Sequence, residues 1–208
     1  MIDIENANIE FGKYILQFNP DEGRIKLKID HIKRVAIMSR KLAQNLHLSD
    51  EQVKLAELIG LFHDIGRFKQ AELYNTFNDR ISVNHAELSI KVLFDENLIN
   101  NFNVEEKYKK IIRLAVLNHN KNKIDDNLNE EEMLFAKIIR DSDQIPIFYA
   151  YIFDFYFDFS LIFLKEKKYL DRFTNRIYDN FTNNTVKQQV KQILQISNNF
   201  LNTYSKTK

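Results

Sequence analysis

The chain contains no cysteine. Disulfides, thiolate metal sites and cysteine nucleophiles are therefore excluded. Glycine and proline are almost as scarce, 4 and 2 among 208 residues. With so little turn punctuation, long helices joined by Asn- and Asp-rich connections are the expectation. An excess of either charge is lacking too: 30 Lys and Arg face 29 Asp and Glu. Such a balance argues against a nucleic-acid footprint spread over the whole surface, though not against a local patch, and no nucleic-acid partner is expected. A membrane span needs about 20 mostly apolar residues. The most apolar stretch, 145–164, is broken by Pro146, Asp154 and Asp158, so no membrane partner is expected either. The first residues carry neither a basic nor an apolar leader segment, which predicts a cytoplasmic protein.

At this length roughly 70% of the unfolded chain's surface can be buried, enough for one self-standing core. The pattern of apolar residues is helical. Residues 27–46 place Ile32, Val35, Leu42 and Leu46 on one face. Ser49 with Gln52 three residues on reads as a capping box that opens a helix ending near Phe62. The segment 68–81 is polar and irregular. Helical patterns resume at 82–96, 104–118, 130–144, 147–165, 167–182 and 185–204. FGKYILQF, at 11–18, alternates enough for a short strand without an evident partner. The fold class is all-α, a single-domain helical bundle. Residues 1–26 form an N-terminal extension packed on the core, 27–148 the central domain, and 149–208 C-terminal helices of the same domain.

Five histidines occur, and four continue the apolar stripe of their helix. His31 aligns with Val35, Met38 and Leu42; His63 with Ala56, Ile59 and Gly60. His85 aligns with Leu88 and Val92, and His119 with Ile112, Ala115 and Val116. Spacings of three, four and seven share a helix face. Asp143 stands likewise behind Ala136 and Ile139, and Asp64 adjoins His63. A single inward histidine is more often a satisfied core residue than a ligand. Four inward imidazoles and two inward carboxylates in one small domain are hard to satisfy separately, because each buried polar group needs its own partner. One shared site for divalent metal satisfies them together, and imidazole with carboxylate suits Zn, Fe, Mn, Ni or Co. His47 lies beyond the stripe and serves as the contrast, a solvated residue.

The order His31, His63-Asp64, Asp143 resembles the HD-domain superfamily of metal-dependent phosphohydrolases. The surrounding segments LIGLFHDIGRFKQ, NHAELSIKVL, IIRLAVLNHN and AKIIRDSDQI resemble its ligand helices. The resemblance covers residues 11–148 and implies an HD-type bundle. It further implies that His31, His63, Asp64 and Asp143 hold one ion, with Asp143 preferred over Asp141. His85 and His119 match the histidines that bind a second ion in dinuclear members, where the doublet Asp bridges. The cofactor implied is one or two divalent ions (Mn, Fe, Ni, Zn, Co or Mg). The activity implied is hydrolysis of a nucleotide or other small phosphate ester by a metal-activated water, with Asp64 orienting that water. The chain lacks the paired histidines and Gly-Tyr-Pro segment of the cyclic-dinucleotide branch, since Asn118 precedes His119.

Arg67, one turn after Asp64, matches the position of a cation that meets substrate phosphate, and Arg suits that task. Asn118, Lys121, Asp79 and Arg80 complete the candidate substrate contacts, with Lys123 a solvated neighbour. Asp79 and Arg80 read equally as pocket-rim or helix-capping residues, Ser82 as a cap and Glu87 as a first-turn acid. Asn84 and Gln144 stand where family members often carry Asp and Lys. Eight of the twelve residues 148–159 are aromatic, which suits core packing or a homodimer seam better than a nucleobase platform. Two other readings stay open on this sequence: a non-catalytic metal- or nucleotide-sensing module, and an HD-fold di-iron oxygenase.

Overall fold

The computed structural model describes residues 2–158, with side chains through residue 144. Met1–Asp143 forms one compact unit and a second begins at Gln144. Every regular element among the described residues is helical: α1 (Ile4–Ile15), α2 (Gly23–Asn45), α3 (Asp50–Phe62), α4 (Gly66–Tyr74), α5 (His85–Ile90), α6 (Glu106–Asn118) and α7 (Glu130–Asp158). A π-helical turn, Lys91–Asp95, and a 3-10 turn, Leu98–Phe102, join α5 to α6. The predicted capping box is present at the start of α3: Ser49 and Gln52 each satisfy the other's main-chain N–H.

The scarcity of glycine has two structural consequences. None of the four glycines has positive φ; the left-handed positions go to His47, Asn75, Asn97 and Asn103. Asn tolerates that region best among non-glycine residues. His47 closes α2: its N–H donates to the Gln44 carbonyl and the Leu48 N–H to the Ala43 carbonyl, the paired bonds of a Schellman end. It is exposed, as expected of the contrast histidine. Two glycines instead permit close approach of helices. A Cβ on Gly60 would stand 2.6 Å from Ala36 Cα, and one on Gly66 would meet Ser89 N and stand 2.7 Å from the Leu88 carbonyl carbon. These contacts set α3 against α2 and α4 against α5.

Three expectations about elements are corrected. Residues 11–18 are not a strand: α1 is a helix, capped by Asp3, that buries Ala7, Phe11, Tyr14 and Ile15. Phe11, Tyr14, Ile15 and Phe18 stand at i, i+3, i+4 and i+7, which is one face of a helix. Phe11, Tyr14 and Phe18 close on Phe68 with ring centroids 5.6–6.2 Å apart, which ties α1 to α4. The segment 68–81 is helical as far as Tyr74. Its fully buried Gln70 is polar in composition but spends its amide on Asp79, Ser82 and the Val83 carbonyl. Finally, 130–144 and 147–165 are not separated at Pro146, since α7 continues through it to Asp158. The proposed aromatic seam at 148–159 and the helices at 167–182 and 185–204 fall outside the residues whose side chains are described.

Candidate metal centre

Helix ends build most of the cluster. His31 lies midway along α2 and Asp143 on α7, but His63 caps the C-terminus of α3, His119 that of α6, and His85 is the first residue of α5. The last carbonyls of a helix have no partner within it. Two of them are used here. His63 Nδ1 donates to the Gly60 carbonyl at 2.7 Å, and His119 Nδ1 to the Val116 carbonyl at 2.7 Å. With the proton held on Nδ1, each Nε2 keeps a lone pair directed into the cluster. Ser89 fixes the intervening turn: its hydroxyl donates to the His63 carbonyl and accepts from the Gly66 N–H.

Asp64 faces two compartments. Its Oδ2 is 3.7 Å from His31 Nε2 and 3.7 Å from His63 Nε2. Asp143 Oδ1 closes this first compartment, 3.0 Å from His31 Nε2 and 3.6 Å from His63 Nε2. Asp64 Oδ1 faces the second, 3.4 Å from His85 Nε2 and 3.7 Å from His119 Nε2. The two compartments adjoin, because His63, His119 and Asp143 also present donors within 4.8 Å of one another. All six predicted ligands therefore converge. Asp141 is fully buried and acts on Arg140, while Asp143 reaches the imidazoles.

The spacing of the donors bears on whether they can share an ion. Donors about 2.1 Å from a shared ion lie roughly 3.0–3.4 Å from each other. His85 Nε2 and His119 Nε2 are 3.0 Å apart, and His31 Nε2 and His63 Nε2 3.4 Å. Lone pairs held this close repel unless a cation or proton stands between them. Asp64 Oδ1 is buried with no hydrogen-bond partner among the described residues; its ion pair with Arg67 Nε is long, 3.5 Å, and leaves the oxygen able to accept a further cation. The residues fit divalent metal, in one or both compartments.

The electrostatics point the same way. Burial alone would raise the Asp64 carboxyl, but Lys28, His63, His119 and His85 hold it well below the usual carboxylate range. Asp143 is likewise held low, against burial, by the imidazoles of His31, His63 and His119 that surround it. Burial pushes His85 down to about 4, with Asp64 opposing and His119 and Arg67 assisting. His85 is therefore neutral at physiological pH, the form in which an imidazole can take a metal.

The predicted substrate residues are placed less uniformly. Arg67 lies beside the cluster, its Nε 3.5 Å from Asp64 Oδ1. Its Nη1 is engaged with Gln70, the Phe77 carbonyl and Asp79. Asp79 accepts from His85 Nδ1 at 2.5 Å. Arg80 is exposed on the turn after it. Asn118 is fully buried and bonds the Leu114 carbonyl and the Asp125 N–H, so it fixes the loop after His119. Lys121 is exposed and paired with Asp125, Lys123 with Asp126. Asn84 caps α5 and receives a bond from Asn120, linking the segments that carry His85 and His119.

One residue of the site was missed from sequence. Lys28 Nζ is 2.7 Å from Asp64 Oδ2, with its side chain 21% exposed, and 5.7 Å from the Phe77 ring centroid. Its spacing of three before His31 puts it on the ligand face of α2, a signal available in the sequence.

An all-α bundle that converges four imidazoles, three of them at helix ends, on two carboxylates defines a helical protein with a buried cluster able to hold metal. The family model for the HD domain matches residues 29–145, and the chain belongs to that family. No curated protein and no solved structure matched the chain. Among the described residues no helix is long and apolar enough to cross a membrane.

Proposed function

We propose that this protein is a metal-dependent phosphohydrolase acting on a nucleotide or another small phosphate ester. The observation that carries the reading is Asp64, whose two carboxylate oxygens each face a separate set of imidazoles. Divalent ions held there supply a water of near-neutral pKa and offset the negative charge of a phosphoryl group. The chain's own residues do the rest. Asp64 and Asp143 hold charge and accept hydrogen bonds at the floor of the site. Lys28, part-exposed beside Asp64 Oδ2, is positioned to meet a phosphate oxygen arriving from solvent. Arg67 adds positive field from the other side of Asp64 and holds Phe77 at the rim.

The test is phosphate release from nucleoside mono-, di- and triphosphates and from an aryl phosphodiester, with the full chain and added Mn²⁺. Turnover that requires the ion and disappears in Asp64→Ala is expected. Stoichiometric metal without hydrolysis of any ester would overturn the reading in favour of a sensing module. Tightly bound iron with consumption of dioxygen would favour an oxygenase instead.

A further inference from the structure

The three histidines with assigned Nδ1 partners are not held alike. His63 and His119 each cap a helix C-terminus and donate to a carbonyl three residues back in their own helix. Their orientation is a local property of α3 and α6. His85 opens α5, so no helical turn precedes it to offer such a carbonyl. Its Nδ1 donates instead to Asp79 Oδ2, across a loop. The same oxygen lies 3.4 Å from the His85 main-chain N–H. The other oxygen of Asp79 accepts from Arg67 Nη1 at 2.9 Å and from Gln70 Nε2 at 3.0 Å. Arg67 also takes the Phe77 carbonyl, and Gln70 takes Ser82 Oγ and the Val83 carbonyl. Asp79 thus joins the segment between α4 and α5 to one ligand of the second compartment only.

We propose that Asp79 is a positioning residue that decides whether the second compartment can bind its ion. Through Arg67 and Gln70, it makes that binding depend on seating of the 75–84 segment. The inference rests on the reading of the cluster as a metal centre. The physical link is the tautomer. The nitrogen of an imidazole that carries the proton is set by the hydrogen bond its other nitrogen makes, and the carboxylate also increases ligand basicity. Without Asp79 the His85 ring has neither a fixed plane nor a reason to keep its proton on Nδ1. Its Nε2 then ceases to be a directed lone pair. The first compartment draws on α2, the α3–α4 turn and α7; none of its ligands is held directly by Asp79, and Asp64 is linked to Asp79 only through the long Arg67 Nε contact at 3.5 Å and through His85 itself. Binding is therefore stepwise, with the second ion the weaker and the loop-dependent one.

The experiment is a Mn²⁺ titration of the chelator-stripped full chain by calorimetry, read alongside electron paramagnetic resonance and apo melting. Wild type takes two ions and gives a spin-coupled spectrum. Asp79→Ala weakens the second ion about 10–100-fold, leaves the first within about threefold, and gives an isolated-ion spectrum, while apo melting is retained. Asp79→Asn, of the same shape, gives a smaller loss of the second ion and serves if the alanine variant does not fold. Arg67→Met discriminates further. Removing a cation 3.5 Å from Asp64 strengthens ion binding on charge alone, whereas the loop link predicts that the second ion weakens. Two ions bound by Asp79→Ala with wild-type affinities would overturn the inference and leave the metal reading standing. So would a wild type that takes only one ion. Loss of both ions together with a lowered apo melting midpoint would make Asp79 a fold residue and overturn it as well. A wild type that takes no ion removes both readings.

Discussion

Asp64 carries more of the site than any other residue, because each of its oxygens is the carboxylate of a different compartment. Asp64→Ala therefore costs both ions, whereas His31→Ala strikes the first compartment and His119→Ala the second more directly. Metal content by elemental mass spectrometry separates the three, and an Asp64→Ala protein that retains two equivalents would sink the bridging assignment. His85 gives the residue scale its pH dependence. Its ordinary value of 6.5 falls to about 4 in the fold. Between those limits the unfolded chain binds a proton that the native protein does not, so stability rises with pH across the window. The apo protein should lose about 2 kcal/mol from this group between pH 7 and pH 5. Denaturant titrations at the two pH values measure it, with His85→Gln as the variant in which that difference shrinks.

At the scale of elements, the ligand geometry depends on how closely helices approach. Gly66 brings the start of α4 against the Leu88–Ser89 backbone of α5, and the Ser89 hydroxyl then spans His63 and Gly66. Gly66→Ala forces backbone apart, since the added Cβ meets main-chain atoms and no flexible side chain can yield. A cost of about 1–3 kcal/mol follows for such overpacking. The displacement falls on α5 and hence on His85, so second-ion affinity falls with stability. Gly12→Ala meets nothing within 4 Å and should be neutral or slightly stabilising, by at most about 1 kcal/mol, as befits an open helical position. Chemical denaturation of the two variants measures the contrast; equal effects would mean that the close approach is not what matters. This scale is also where sequence reading was weakest. The stripe positions of His31, His63, His85 and His119 were legible because apolar neighbours mark them at helical spacing. The ends of α3 and α6 at Phe62 and Asn118 were legible too, which puts His63 and His119 at helix C-termini. That His85 opens α5 was not, because the helical pattern reads from 82 and the cap is Asn84. α4 was hidden because its buried face includes Gln70, whose partners lie in a loop and leave no periodic trace. Lys28 was passed over for a different reason: a lysine on a charged helix looks solvated until the carboxylate it meets is known.

For the molecule as a whole, the proposed metal site would couple ion binding to folding. The ligands come from α2, the α3–α4 turn, α5, α6 and α7, and no two neighbouring helices hold them alone. Unfolding disperses them, so an ion bound only by the native state stabilises the unit by RT ln(1 + [ion]/Kd), about 2.7 kcal/mol at a hundredfold excess over Kd. For a chain of this size each kcal/mol raises the melting temperature by about 2–4 °C, which sets the expected rise at roughly 5–10 °C for one ion. The rise should grow with the logarithm of ion concentration and be reversed by a chelator. It should vanish in Asp64→Ala, because neither compartment is then complete. The core of the unit is apolar, with Phe11, Phe62, Phe68 and Phe135 fully buried, so the expected effect is a shift of one transition and not the appearance of a fold. Scanning calorimetry across a series of Mn²⁺ concentrations measures it. A melting temperature that ignores the ion while elemental analysis finds it bound would place the metal on a site the folded unit does not need, and the buried cluster would lose its claim to be that site.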